Sequence, residues 1–291
     1  MDDRTLLVQR DLMHSALCES DFLRLSSLIH GECGIKMPPQ KKIMLEARLK
    51  KRLRKLGMRS FREYCEYLFS DEGMECELVH MVDVVTTNKT DFFREPRHFD
   101  YLTGTAVPEL MKTMGAGITR EMEIWSAGCS TGEEPYTIAM ALNEFRGLRP
   151  SFRFRIVATD ISTKVLEAAM RGIYKLEKAD PIPPALKKKY FLRSKDRERG
   201  LVRIAPELRA QVKFRRVNFM GGDFGVRRPV DIIFCRNVII YFDRPAQERV
   251  VNRLCDHLLP GGYLFMGHSE TLNGLRVPLL SSGPMIYRKP F

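Results

Sequence analysis

No C-x-x-C pair occurs in this chain, and its seven cysteines stand apart at positions 18, 33, 65, 76, 129, 235 and 255. That spacing argues against a zinc site and against a disulfide framework, so no metal is expected. Reduced thiols in a cytoplasmic protein fit best. No uncharged apolar run reaches the roughly 18 residues of a membrane span, so insertion into a membrane is not expected. The opening Met1-Asp2-Asp3-Arg4 lacks the apolar segment of a signal peptide. A G-x-G-x-x-G dinucleotide fingerprint is missing too. Negative charge is scarce in one place: between Lys36 and Arg62, eleven Lys or Arg stand against the single acidic Glu46.

What is there suffices for one large or two modest domains: 291 residues, 44% of them hydrophobic. A formal charge of +12 points to acidic partners. Residues 1–15 have weak periodicity and read as a flexible extension. Residues 16–88 read as an all-α domain. Phe22, Leu25, Leu28 and Ile29 recur at helical spacing, and Pro38-Pro39 precedes a long helix over 40–56, closed by Gly57. Leu45, Leu49, Leu53 and Leu56 give that helix its apolar stripe. Lys41, Arg48, Arg52, Lys55 and Arg59 fall along one line beside it. A docking surface for an acidic partner would justify so one-sided a charge, whether the partner is nucleic acid or an acidic helical protein. A further helix starts at Ser60 and is interrupted at Gly73, and a last one covers 77–85.

Residues 89–291 read as an α/β domain. Its centre is Glu123-Ile124-Trp125-Ser126-Ala127-Gly128-Cys129-Ser130-Thr131-Gly132-Glu133-Glu134-Pro135-Tyr136, a buried strand, a small-residue turn and a helix start. Ser130 with Glu133 fits an S-x-x-E capping box. A helix from His98 to Met114 leads into this strand. A second strand over 152–158 ends at Thr159-Asp160 and is followed by a helix over 162–171. Residues 172–204 break the alternation: Pro181, Pro183 and Pro184 mark loops, and Tyr190–Leu192 and Leu201–Ile204 read as short strands around a charged turn, an antiparallel excursion on the main sheet. Further strands are expected at 212–217 and 231–238, a helix at 247–259, and final strands at 263–266 and 285–288 forming an antiparallel edge.

The loop ends collect Gly128, Gly132, Glu133, Asp160, Asn218, Phe219, Asn237 and Val238 at one rim of the sheet. Acidic residues stand where a phosphate would want bare amides, so the loop suits a nucleoside with a cationic tail. Asp160 can accept from a ribose diol, and capping of the helix that follows is its alternative role. S-adenosylmethionine fits, with Glu133 facing its ammonium. After the fourth strand the chain reads Arg236-Asn237-Val238-Ile239, not the N-P-P-Y of nucleic-acid amino methylation. Cys235 lies within an apolar strand and reads as a packed thiol. His98, His257 and His268 read as structural. A site with an arginine and a tyrosine but no base suits an acceptor that is already ionised, such as a glutamate, which titrates near ~4.3.

These motifs resemble the CheR family, the chemotaxis-receptor glutamate O-methyltransferases. The resemblance runs from about Leu17 to the end. It rests on Thr87-Asn88-Lys89-Thr90-Asp91-Phe92-Phe93-Arg94-Glu95, Trp125 to Tyr136, Ala158-Thr159-Asp160-Ile161-Ser162, Phe234-Cys235-Arg236-Asn237-Val238 and Gly267-His268-Ser269-Glu270. It implies a helical N-terminal domain and a Rossmann-like methyltransferase domain with an inserted antiparallel β-subdomain. It implies that Asn88, Thr90, Arg94, Glu133, Asp160, Asn218, Phe219, Asn237 and Val238 contact S-adenosylmethionine. Arg94 and Tyr241 would flank the transferred methyl and the glutamate, and the products would be a glutamyl methyl ester and S-adenosylhomocysteine. The basic helix would then meet the acidic methylation helices of chemotaxis receptors, and no nucleic acid is expected. Members that bind a receptor C-terminal pentapeptide commonly carry glycine in the β-subdomain turn. Here Ser194 to Arg199 holds none, which puts that tether in doubt. The rival readings are a nucleic-acid methyltransferase using the basic helix and a non-catalytic adaptor that retains the fold.

Overall fold

The computed structural model describes residues 16–226 and 228–291. The extension expected over 1–15 lies outside them. By contacts the chain divides into two compact units. Of the described residues, the first holds those up to Thr87 together with Phe219–Gly221 and Tyr241–Asp243, and the second holds the remainder.

The first unit is helical: α1 (Glu19–Cys33), α2 (Lys42–Leu56), α3 (Phe61–Leu68), α4 (Asp71–Cys76) and α5 (Leu78–Val85). Phe22, Leu25, Ile29, Leu45, Leu49, Leu53, Phe61, Tyr64 and Leu68 close its core. Ser60 caps α3 by accepting from Glu63 N–H, and Ser70 caps α4 by accepting from Gly73 N–H. Gly73 is therefore not a break. It sits inside α4 because a Cβ there would come within 1.8 Å of the Tyr67 carbonyl oxygen. The two outlying segments join this unit through its backbone and side chains. Lys36 N–H donates to the Tyr241 carbonyl at 3.0 Å, and His30 Nε2 lies 3.1 Å from the Asp243 carboxylate.

The expected line of five cations on α2 is corrected here. Arg52 is buried and forms a two-bond pair with Glu77, at 2.7 Å from Nε and 2.5 Å from Nη2. Tyr64 donates to the same carboxylate at 3.1 Å. Arg48 is half-buried and donates to the carbonyls of Val85 and Thr86 and to Thr87 Oγ1. It satisfies the carbonyl end of α5 rather than facing outward. Lys55 and Arg59 are exposed, joined by Lys51 and Arg54, while Lys41 is half-buried and donates to the Lys36 carbonyl. Glu46 also pairs with Lys50 at 2.9 Å, one turn away.

The second unit opens with α6 (Arg97–Tyr101), a π-helical stretch (Leu102–Ala106) and α7 (Val107–Met114). Pro108 lacks the N–H that an α-helical bond to Gly104 needs, and the wider turn lies just before it. The main sheet contains β1 (Met122–Ala127), β2 (Phe154–Asp160), β6 (Val212–Arg216), β7 (Val230–Cys235), β8 (Leu258–Met266), β9 (Leu280–Gly283) and β10 (Ile286–Arg288). Their order is β6-β2-β1-β7-β8-β10-β9. The first five are parallel, and β10 closes antiparallel on β8 and β9, the antiparallel edge expected from the sequence. All six residues of β1 and of β7 are buried, as strands covered on both faces require. Phe234 stacks on Phe265 with centroids 4.4 Å apart, and Phe99 lies 6.0 Å from Phe234. The order reverses between β1 and β7, which opens a crevice at their carboxyl ends.

Helices α8 (Glu133–Leu148), α9 (Thr163–Arg171) and α12 (Arg244–His257) connect these strands. The small β-sheet is separate from the main one, not an excursion on it. Its strands β3 (Ile173–Lys175), β4 (Phe191–Arg193) and β5 (Leu201–Ile204) pair antiparallel in the order β3-β5-β4. Pro181 lies in a turn as expected, but Pro183 and Pro184 start a helix, α10 (Pro184–Tyr190), and α11 (Pro206–Arg209) likewise has Pro in its first turn. Strand β8 begins at Leu258 and runs through Pro260-Gly261-Gly262, accommodated by a register shift against β7.

Two outcomes are expected. Glu77→Ala leaves Arg52 buried without its anion, which costs about 3–5 kcal/mol, read as a lower urea midpoint. The second concerns His98, buried against Phe265 with ring centroids 5.6 Å apart. Burial holds its pKa down to about 4 from the ordinary 6.5, aided by the charge of Arg236 and opposed by Glu95. The folded state thus resists protonation more than the unfolded chain does. Stability is complete above about 6.5 and falls as pH drops toward 4. His98→Gln should flatten that slope in thermal melts between these pH values.

Candidate active site

Three loops meet at the crevice, following β1, β2 and β7. After β1, the N–H groups of Gly128 and Cys129 both donate to the Thr159 carbonyl at 2.8 Å. Gly128 has φ +87°, and a Cβ there would lie 2.3 Å from Val238 Cγ2, so only glycine lets the first and third loops approach so closely. Ser130 is not the N-cap of α8. Gly132 takes that position, with no side-chain cap. Ser130 instead ties two segments to its own loop: its N–H donates to Asp160 Oδ2 at 2.8 Å, and its Oγ donates to the Asn88 carbonyl at 2.9 Å.

Asp160 closes β2. Its other oxygen accepts from Ser162 N–H at 3.0 Å. Capping of α9 falls to Ser162, whose Oγ accepts from Val165 N–H at 3.4 Å. Asp160 is therefore a buried brace between two loops. Val217 N–H donates to the Asp160 carbonyl at 2.9 Å, which sets half-buried Asn218 next to the same strand end.

Glu133 is buried and receives Thr131 Oγ1 at 2.6 Å, with Lys178 Nζ 3.8 Å away. Burial raises its carboxyl above the ordinary range, against the hydrogen bond from Thr131. Lys178 comes from a short 3-10 turn, Leu176–Ala179, and also donates to the Thr90 carbonyl at 2.6 Å and to Asp91 Oδ1 at 2.8 Å. One lysine thus gathers the 88–91 segment and Glu133. It was not picked out in the sequence, because nothing near it in the chain marks it.

The third loop hangs on Glu270. This buried carboxylate accepts four backbone N–H groups: Asn237 at 2.6 Å, Val238 at 2.7 Å, Ile239 at 2.8 Å and Gly267 at 2.8 Å. Burial pushes its carboxyl up and the four donors pull it back. Asn237 has φ +60°, a left-handed conformation that this clamp enforces.

Arg94 is half-buried, and its guanidinium donates to the Lys89 carbonyl at 3.3 Å. Both neighbours are left-handed, Phe93 at φ +52° and Glu95 at φ +57°. Such backbone costs about 1–3 kcal/mol per residue and persists where the surroundings over-determine it. Phe219 and Tyr241, named with this set from the sequence, group by contacts with the helical unit. Phe219 is buried there and Tyr241 is half-buried.

The donor set matches a nucleoside with a cationic tail. Two carboxylates, Glu133 and Glu134, occupy the start of α8, where a pyrophosphate would need bare N–H groups, and burial raises both. Glu134 already faces the Arg236 guanidinium at 3.2 Å, so a ligand cation would offset Glu133. Asp160 places a buried carboxylate at the end of β2. S-adenosylmethionine meets these requirements.

Known proteins agree. Residues 88–281 match the family described as CheR methyltransferase, SAM binding domain, and residues 20–86 match CheR methyltransferase, all-alpha domain. The chain is 38% identical to a chemotaxis protein methyltransferase of Borreliella burgdorferi over 259 residues, 89% of this chain and 90% of the relative. It is 40% identical to chemotaxis protein methyltransferase 2 of Pseudomonas aeruginosa over 269 residues, 92% of each chain. It is 39% identical to the chemotaxis protein methyltransferase of Escherichia coli over 272 residues, 94% of this chain and 91% of that one. With both domains matched in order and the motif loops converging at one crevice, the chain belongs to the CheR methyltransferase family.

Proposed function

We propose that this S-adenosylmethionine-dependent methyltransferase works in the cytoplasm on chemotaxis receptors, esterifying glutamate side chains in their acidic helical methylation region. The observation that carries this reading is the crevice at β1 and β7, where buried acids brace loops that bear the family's motifs. Bound S-adenosylmethionine supplies a methyl group activated by a sulfonium. The chain's task is to hold donor and acceptor in line and keep water out.

Asp160 accepts from ribose hydroxyls, and Glu133 faces the ammonium. Asn88, Thr90, Asn218, Phe219, Asn237 and Val238 complete the set assigned by motif. Arg94 holds the incoming carboxylate through paired N–H groups, a geometry lysine lacks. Tyr241 donates one further hydrogen bond to it. No general base is required, because a glutamate is already anionic at neutral pH. Lys51, Arg54 and Lys55 on α2, with Arg59 just beyond its end, present an exposed positive face to acidic receptor helices, which favours encounter as well as affinity. Lys41 and Arg48 contribute less, being half-buried and bonded within the unit, and Arg52 is committed to Glu77.

The deciding experiment is transfer of tritiated methyl groups to membranes containing chemoreceptors. The label should leave as methanol in mild alkali, and label that survives alkali would reject a glutamyl ester. In the same assay Arg94→Ala should lower turnover at least 100-fold, about 2.7 kcal/mol, with an unchanged melting temperature. Full activity would remove Arg94 from its role. Asp160→Ala should weaken S-adenosylmethionine binding about 10- to 100-fold, measured by calorimetry, and equal affinity would count against the ribose contact.

A further inference from the structure

The residue that decides where Arg94 points is not among those the motif assigns to cofactor or substrate. Arg236 follows β7 directly, and its side chain is only 2% exposed. Its guanidinium spends its donors on three targets. Nη2 donates to the Arg94 carbonyl. Nε and Nη2 lie 3.3 and 3.1 Å from Glu95 Oε2. Nη1 lies 3.2 Å from Glu134 Oε2 on α8. The plane sits 5.6 Å above the Phe99 ring, and Phe99 packs 5.7 Å from Phe93. One buried cation therefore grips both sides of the peptide that follows Arg94.

That peptide lies in the stretch where the backbone is strained. Phe93 and Glu95 both have positive φ, and neither is glycine. Phe93 is tied to α8 by its N–H, which donates to Thr137 Oγ1 at 3.2 Å. Glu95 is held on its second oxygen by His268 N–H at 3.2 Å, with the His268 ring nitrogen 4.0 Å away and His98 Nδ1 3.5 Å from the first oxygen. Glu134 is fixed from its far side by Ser126 Oγ at 2.7 Å, on β1. Burial pushes the Glu95 carboxyl up, but the Arg236 charge and the bonds from His268 and Arg236 bring it below the ordinary range. Glu95 is therefore the anionic partner that Arg236 requires. Left without this grip, the segment would relax toward ordinary backbone angles and carry Arg94 with it.

We infer that Arg236 is a positioning residue for methyl transfer: it locks the left-handed Phe93-Arg94-Glu95 segment against Glu134, so that the Arg94 side chain is presented to the acceptor carboxylate in one orientation. The lock needs a planar fork with donors on several edges. A lysine keeps the charge but cannot reach the Arg94 carbonyl, Glu95 and Glu134 together. This rests on the role proposed for Arg94.

The test uses the full-length protein with chemoreceptor membranes and three variants, Arg236→Lys, Arg236→Ala and Glu134→Gln. Arg236→Lys should lose about 100-fold in kcat, with S-adenosylmethionine affinity within about threefold of the parent by calorimetry. Added guanidinium at millimolar concentration should restore part of the turnover of Arg236→Ala and none of that of Arg94→Ala. Glu134→Gln, which keeps size and removes the negative charge facing Arg236, should lower kcat about tenfold and leave cofactor affinity alone. Parental kcat in Arg236→Lys overturns the inference. So does loss of cofactor affinity in parallel with rate, since Arg236 would then serve binding. Should Arg236→Lys not fold, Glu134→Gln decides by the same split. If Arg94→Ala is fully active the reading of Arg94 fails first, whereas an inactive Arg94→Ala beside a fully active Arg236→Lys sinks only this inference.

Discussion

Buried carboxylates that accept backbone N–H groups hold the crevice together. Asp160 takes Ser130 and Ser162, and so couples the loops after β1 and β2. Glu270 takes three consecutive N–H groups after β7 and a fourth from Gly267. Loops at a strand rim cannot satisfy their own amides as helices and sheets do. An ionised acceptor in a poorly solvated place bonds them about twice as strongly as a neutral one. The polar groups that look expensive to bury are thus what gives the loops a single conformation.

The same logic extends to charge. The start of α8 is loaded with Glu133 and Glu134, which suits the helix dipole and gives each acid a different partner. Glu133 turns to Thr131 and Lys178, and Glu134 turns to Ser126 and Arg236. One acid is left able to meet a ligand cation, while the other anchors the strained segment that carries Arg94. In the proposed function, cofactor and acceptor are therefore linked through two adjacent residues on one helical turn. In the helical unit, the Arg52–Glu77 pair plays the comparable structural part, joining α2 to the start of α5 with Tyr64 as a third member.

The elements themselves were largely legible. Parallel buried strands announced themselves as unbroken apolar runs, and the long helix over 40–56 was marked by its leucine spacing and Gly57. The misreadings share a cause. Gly73 looked like a break because its packing against the Tyr67 carbonyl is a tertiary fact. Pro183 and Pro184 looked like loop because proline also opens helices. Ser130 and Glu133 matched a capping box, but each found a partner elsewhere that a local pattern cannot show.

By itself the sequence determined most of the order of helices and strands and the family motifs that the loops bear. Periodicity, turn residues and motif spacing are local properties, written in neighbouring positions. Only the tertiary structure decided which charges are free to act. It withdrew Arg52 from the basic face by burying it against Glu77, 25 residues away, and it brought Lys178 to Thr90 and Glu133. It also set Arg236 against a segment 142 residues earlier. The energy of a charge depends on what desolvates it and what compensates it, and in a folded chain both come from residues distant in sequence.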